Sequence, residues 1–172
     1  MLQPEAERRL YALFEGNITE ENVGVEGLKD LYVLFAQNIE DPVEKLIVAR
    51  TFLQAIFENS PDAVENFLDI RIAERCDARP QGTDCFGYLF GLDANAEKAL
   101  TDLIIGSKIS IDPIVDSLAL YVNEELTHPI HIGKVTPEKK VLSKWGLNGH
   151  VYEHHPLLVP LSYGWSIAYL SR

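Results

Sequence analysis

Apolar residues recur at helical spacing along the first three quarters of the chain. Between about residues 26 and 38, one face carries Leu28, Leu31, Tyr32, Leu34 and Phe35. Intervals of three and four residues place side chains on one side of an α-helix. Similar intervals recur up to residue 127, which predicts a mainly α fold.

Four segments begin with helix-start signals. In Asp41-Pro42-Val43-Glu44, an N-cap acid precedes a proline and a third-position glutamate, a strong start pattern. Further starts at Ser60, Asp93 and Asp112 predict helices reaching Cys76, Ile105 and Leu126. The starts at 41, 60, 93 and 112 form two similarly spaced pairs. We therefore expect a helical bundle of αα-hairpins, with a short solenoid-like repeat as the alternative.

The last 45 residues have a different pattern. Residues 128–134 alternate as a strand does, and Thr136 begins a short predicted helix that ends near Trp145. In residues 162–170, alternation places four apolar side chains on one face: Tyr163, Trp165, Ile167 and Tyr169. This period of two predicts a small C-terminal β element. We expect one domain over residues 1–172, with a helical body (1–127) and an α+β appendage (128–172).

Charge is unevenly distributed between these two parts. Residues 1–127 hold 24 acidic and 10 basic residues, a net of −14, whereas residues 128–172 hold 2 and 5, a net of +3. A surface this acidic repels nucleic acids and anionic membranes and favours a basic protein partner. No apolar run approaches the roughly 18 residues of a membrane span. With a charged N-terminus in place of a signal peptide, we expect a cytoplasmic protein.

The stretch GHVYEHHP, residues 149–156, contains the inverted zinc-peptidase pattern His150-x-x-Glu153-His154. That pattern requires a helix, so that both imidazoles reach one zinc ion. Asn148-Gly149 before it and Pro156 after it leave little room for a helix, and no acidic residue follows Glu153. The sequence therefore argues against a zinc peptidase.

A looser metal site remains as an alternative. All five histidines lie within 28 residues. The candidate ligands are His128, His131, His150, His154 and Glu153. Several imidazoles with one carboxylate suit zinc or another transition metal. Such a site would make the protein a metal-dependent hydrolase. In the competing interpretation these histidines are solvated or hydrogen-bonded side chains, and no cofactor is expected.

The chain offers no complete catalytic set, which favours a non-catalytic interpretation. We expect an acidic inhibitor or immunity-type protein that neutralises a basic partner, with a subunit or adaptor of a larger assembly as a further alternative. The expected contact residues are Glu124, Glu125, His128, His131, Trp145, His150, Tyr152, Glu153 and His154. Trp145 and Tyr152 would be the anchors, since aromatic side chains dominate binding energy. Cys76 and Cys85 either form a disulfide or, as a cytoplasmic location favours, remain thiols.

Overall fold

The computed structural model describes residues 24–76, 84–91, 96–122 and 128–171. In these ranges the helices are α1 (Val25–Ala36), α2 (Pro42–Asn59), α3 (Cys85–Phe90) and α4 (Ala96–Gly106). The strands are β1 (Arg71–Glu74), β2 (Lys108–Ser110), β3 (Leu118–Val122), β4 (Pro129–Val135), β5 (Val141–Lys144), β6 (Val151–His154) and β7 (Ser166–Ser171). Short 3₁₀ turns span Pro61–Val64 and Leu161–Tyr163.

The strands form one seven-stranded sheet in the order β1-β6-β5-β4-β3-β7-β2, and each neighbouring pair is antiparallel. The fold is therefore α+β. The prediction of a mainly α fold was wrong, and so were the helical bundle and its solenoid-like alternative. Strand β3, from residues 1–127, lies between β4 and β7, which both come from residues 128–172.

The helix predicted from Asp112 to Leu126 was wrong, because this segment contains β3. Ala119, Leu120 and Tyr121 are consecutive and all buried, since β3 is central in the sheet and is covered on both faces. A short apolar run of this kind fits a buried strand as well as a helix, and spacing alone does not separate the two.

The helix predicted from Ser60 to Cys76 was also wrong. After the 3₁₀ turn, Asn66, Leu68 and Asp69 have φ values of 66°, 51° and 65°. Left-handed residues interrupt a right-handed helix, and the chain then enters β1. The predicted helix at residues 136–145 is a turn followed by β5, and Lys139 in that turn has a φ of 59°.

Other predicted elements were confirmed. Helix α1 occupies the first apolar stripe, and α2 begins at the predicted signal. The Asp41 carboxylate there accepts hydrogen bonds from the backbone N–H groups of Val43 at 2.7 Å and Glu44 at 3.3 Å. The predicted C-terminal strands are present as β4, β6 and β7. Asp93 lies outside the described residues, which resume with α4.

Helices cover both faces of the sheet. On one face, α1 and α2 pack with Phe52, Leu53 and Ile56 against a cluster that includes Tyr121 and Trp145. On the other face, α3 and α4 pack against a smaller cluster that includes Leu120, Ile132 and Leu170. Among the described helices, none is long and apolar enough to cross a membrane.

Candidate functional site

A buried polar network lies on the sheet face that α2 covers, with Ser143 of β5 at its centre. His131 of β4 and His154 of β6 flank it, and the Nε2 atom of each lies 2.9 Å from the Ser143 Oγ. The Trp145 Nε1–H donates a hydrogen bond to the same oxygen at 3.0 Å. All four side chains are buried. Three neighbouring strands and the chain after β5 therefore converge on one hydroxyl group.

The hydrogen bonds determine where the protons lie. The His154 Nδ1 is 2.9 Å from the backbone oxygen of His155, which can only accept, so this nitrogen carries the proton. The His154 Nε2 in neutral imidazole then accepts from the Ser143 hydroxyl. Because that hydroxyl has one proton, its oxygen accepts from Trp145 and from the Nε2–H of His131. The His131 Nδ1 is thus an acceptor, and no described residue donates to it.

The environment keeps both imidazoles neutral. Burial lowers the pKa of His154 from 6.5 to about 4. Burial also lowers the pKa of His131 well below its usual value, and repulsion from His154 adds to this shift. Removing a charged group from water is unfavourable, so a buried histidine favours its neutral form. These pKa shifts agree with the proton positions that the hydrogen bonds require.

Aromatic rings enclose the network and connect it to α2. The Tyr163 ring stacks on His131 with centroids 4.0 Å apart. The Trp145 ring lies 4.4 Å from that of Tyr152 and 5.7 Å from that of Phe57, a residue of α2. Such contacts stabilise a core beyond the area that they bury.

Arg50 of α2 is a second buried polar group on this face. Its Nε–H donates to the carbonyl of Val159 at 2.9 Å, and its Nη2 donates to the carbonyls of Pro160 and Gly164. The guanidinium lies 4.0 Å from the centroid of the Trp165 ring. Burial lowers the pKa of Arg50 to about 10, so it remains charged at neutral pH. Arg50 therefore ties α2 to the segment before β7.

Gly164 is required where it lies. Its φ of +75° is strained for residues with a Cβ, and an added Cβ would lie 2.5 Å from the carbonyl oxygen of Val122. This conformation lets the chain turn before β7 while the Gly164 carbonyl accepts from Arg50.

His150 lies apart from the network, near the β1 edge. Its Nδ1 accepts from the backbone N–H of Cys76 at 3.0 Å, and its Nε2 lies 3.2 Å from an oxygen of Asp62. The neighbouring Tyr152 hydroxyl donates to the carbonyl of Pro61 at 2.7 Å. Both side chains therefore fasten the 3₁₀ turn to β6.

The structure buries several residues of the predicted partner surface. Trp145, Tyr152, His131 and His154 have no solvent exposure, so these four side chains cannot reach a partner. Glu153 is paired with Arg71 and lies 3.8 Å from the Lys140 amino group. His128 is exposed, whereas Glu124 and Glu125 lie outside the described residues. We therefore revise the contact surface.

The five candidate metal ligands do not converge either. Among the residues that the structure describes, no three His, Cys, Asp or Glu side chains are grouped so that they could hold a metal ion. His131 and His154 both direct their Nε2 atoms at Ser143. His150 is engaged by Cys76 and Asp62.

The network is also unsuited to nucleophilic catalysis. Ser143 contacts two imidazoles, but it is only 1% exposed, and a nucleophile has to reach its substrate. Cys85 lies on the opposite sheet face, where burial raises its pKa to about 11, so it is a thiol at neutral pH. Cys76 and Cys85 are not joined in a disulfide.

Comparison of the chain with protein-family models, curated proteins and solved structures gives no significant match. A functional inference therefore depends on the surface of the molecule.

One candidate surface was missed by the sequence analysis. It lies at the turn between α1 and α2, and we call it the hairpin surface: Asp30, Val33, Leu34, Glu40, Asp41 and Val43. Its three apolar side chains are half or more exposed, with Leu34 at 60%. Leu34 was predicted to lie on the apolar face with Leu28 and Tyr32, and this was wrong, because the buried stripe is Leu28, Tyr32 and Ala36. The available signal was Val33, which already lay outside the predicted face.

Proposed function

We propose that this chain is a non-catalytic protein-binding module that captures a basic protein, in the manner of an inhibitor or immunity protein. The observation that carries the proposal is the hairpin surface, where exposed apolar side chains are flanked by acidic residues. Apolar centres with charged surroundings are typical of protein interfaces. The proposal includes a cytoplasmic location and no nucleic-acid partner, in keeping with the net charge of −11.

The charge of this region supports a basic partner. Residues 30–45 contain four acidic residues and one basic residue, Lys45. Asp30 and Glu40 are exposed, and neither forms an ion pair with another described residue. Acidic groups of this kind accelerate the approach of a basic surface and disfavour acidic competitors.

The apolar residues would supply the affinity. Leu34 lies one turn after Asp30 on the outward face of α1, and Val43 lies in the first turn of α2. Burying such side chains against a partner contributes about 1.5–3 kcal/mol for each one that was fully exposed. Their exposure also makes them suitable for substitution, because the core does not depend on them.

The test is capture from a native cell lysate with three baits: wild type, Asp30→Lys/Glu40→Lys, and the matched control Glu58→Lys/Asp102→Lys. The control makes the same charge change on α2 and α4, away from the hairpin surface. A fourth bait, Leu34→Asp, tests the apolar centre. Each capture is repeated at low and high salt, since screening weakens contacts between exposed charges.

We expect a basic protein to be retained by wild type and by the control, and lost from the Asp30→Lys/Glu40→Lys and Leu34→Asp baits. High salt should weaken its retention. An acidic partner, equal retention by all four baits, or no retained protein would contradict the proposal.

A further inference from the structure

Strand β2 forms one edge of the sheet, and its surroundings are unusually apolar. It pairs with β7 on one side, and no other described strand lies beside it. The exposed apolar residues of β2 and its flanks include Ile105, Ile109, Ile111, Ile114 and Val115. We call these five residues and β2 the isoleucine edge. Ile109 is 66% exposed and Ile111 is 87% exposed. Exposed strand edges with apolar side chains are sites of pairing with another chain.

The opposite edge of the same sheet has the usual protection. In β1 the register shifts between Ile72 and Glu74, which marks an irregularity that interrupts regular pairing. Arg71 is exposed and bonded to Glu153, and Arg75 is paired with Asp62 and Glu65. Bulges and charges discourage the addition of a further strand. The isoleucine edge has a regular register with β7, and Lys108 is the one charged residue of β2.

We propose that the isoleucine edge pairs with the same edge of a second copy of this chain. The two β2 strands would run antiparallel about a two-fold axis at Ile109, which joins two seven-stranded sheets into one. A two-fold contact needs one self-complementary surface, and it is the commonest arrangement of homo-oligomers. This inference does not depend on the proposed function.

Charge complementarity favours a second copy of this chain as the partner of β2. With Ile109 on the axis, Lys108 of each copy lies opposite Ser110 of the other. The chain bends after Ser110, and hydrogen bonds hold the Asp112 backbone beside the Ser110 hydroxyl. A lysine side chain can reach residues next to its direct cross-strand partner. Lys108 and Asp112 are both exposed. The Asp112 backbone, but not its carboxylate, bonds Ser110. Each dimer would therefore contain two Lys108–Asp112 contacts.

The contact is smaller than a standard protein–protein interface, so we expect a dissociation constant on the order of 10 µM. Sedimentation of wild type over about 1 to 100 µM should show a monomer–dimer equilibrium. Ile109→Asp should abolish the dimer. Leu34→Asp, at a residue of similar exposure on the hairpin surface, should leave it unchanged and is the matched control.

Cysteine cross-linking tests the register. In a Cys76→Ser background, Ile109→Cys places two thiols opposite one another across the axis, at about 5 Å between Cβ atoms. Ile111→Cys places them about 14 Å apart along the strands, too far for a disulfide. With oxidised glutathione at a concentration of protein that favours the dimer, Ile109→Cys should form a covalent dimer and Ile111→Cys should not.

Exchange of the two charges tests whether the partner is a second copy of this chain. Lys108→Asp alone places two carboxylates together at each contact, and Asp112→Lys alone places two ammonium groups together. Each variant alone should be monomeric where wild type is dimeric, whereas an equimolar mixture should form heterodimers with both contacts restored. Unchanged unfolding temperatures for both variants would show that neither charge change disturbs the monomer.

Salt distinguishes this dimer from capture of a basic partner. Two copies with the same net charge repel one another, so the dimer should weaken less than partner capture, or tighten, as salt is added. A wild-type monomer at all concentrations, equal cross-linking of Ile109→Cys and Ile111→Cys, or no heterodimer in the mixture would overturn the inference. The same three results are expected if a different protein, and not a second copy of this chain, pairs with β2.

Discussion

The two faces of the sheet are packed by different means. The face under α2 contains buried hydrogen-bonding groups, Ser143 with two histidines and Arg50 with three carbonyls. The face under α3 and α4 packs Leu120, Ile132 and Leu170 around Cys85. Apolar packing tolerates small changes of shape, whereas a buried polar group is costly to leave without its partner. The polar face should therefore be the more sensitive of the two to small chemical changes.

This difference also shows what the histidine-rich region contributes to the fold. The chain from residue 128 onward contains every histidine and both tryptophans, and most of these side chains serve to join strands and α2. The two surfaces that we propose for binding are the hairpin surface and the isoleucine edge. Both contain exposed apolar residues whose burial the fold does not require.

The largest loss of stability should follow removal of the buried Arg50 guanidinium. Arg50→Ala leaves the carbonyls of Val159, Pro160 and Gly164 without donors and removes the cation from the Trp165 ring. Each buried carbonyl left without a donor costs about 1–3 kcal/mol, so we expect a loss of about 3–5 kcal/mol, which urea unfolding would measure as a lower midpoint. Arg50→Lys should recover part of the loss, because it keeps the charge but not the planar group. A loss below about 1 kcal/mol would show that Arg50 does not tie α2 to this segment.

Ser143→Ala should have the next largest effect. It removes one oxygen, yet it leaves the Trp145 Nε1–H, the His131 Nε2–H and the His154 Nε2 without partners. At about 1 kcal/mol or more for each buried unpaired group, the expected loss of unfolding free energy is about 3 kcal/mol. Ser143→Cys, which retains a weak donor and acceptor, should lose less. If the Ser143→Ala variant is as stable as wild type, the polar face is no more sensitive to small chemical changes than the apolar face.

Acid should weaken the polar face selectively. His154 has a pKa of about 4 in the folded chain and about 6.5 when unfolded. Between these values the unfolded chain binds the proton and the folded chain does not, so stability falls as pH falls. From about pH 7 to about pH 5, His154 alone should cost about 2 kcal/mol, and His131 shifts stability in the same direction. Urea unfolding across this range measures the slope, and His154→Gln should flatten it.

The smallest effect should follow a comparable deletion on the apolar face. Ile132→Val removes one methylene group beside Cys85, and such changes cost about 1 kcal/mol. The same urea measurement made on Ser143→Ala gives the comparison directly, since each variant deletes a single heavy atom from a neighbouring strand. If Ile132→Val costs as much as Ser143→Ala, hydrogen bonding does not distinguish the two faces.

The sequence predicted the elements whose signals are local. Asp41 and Pro42 define the start of α2 by chemistry that acts within four residues, and the alternation of residues 128–134 defines β4. Local sequence patterns gave wrong predictions where pairing with neighbouring strands determines the secondary structure. Leu118, Leu120 and Tyr121 suit a helix equally well, and they form β3 because β4 and β7 flank it. The left-handed residues after Val64 carry no obvious glycine or proline signal.

The candidate site was harder to predict for the same reason. His131 and His154 attract attention as metal ligands because imidazoles bind metals, but their partner is Ser143, a residue with no distinguishing pattern around it. Only the register of β4, β5 and β6 brings the three together. Trp145 and Tyr152 were expected to be exposed anchors, and the sequence does not show that α2 covers them.

The central claim is that His131 and His154 are neutral members of a structural network, and ¹⁵N chemical shifts of their imidazoles test it most directly. We predict a proton on Nδ1 of His154 and on Nε2 of His131, a pKa of about 4 for His154, a pKa of His131 well below its ordinary value, and no change on addition of zinc. Titration of either ring near its ordinary pKa of about 6.5, or a change of the ¹⁵N chemical shifts on addition of zinc, would contradict the account. Either result would support the alternative in which these histidines are metal ligands.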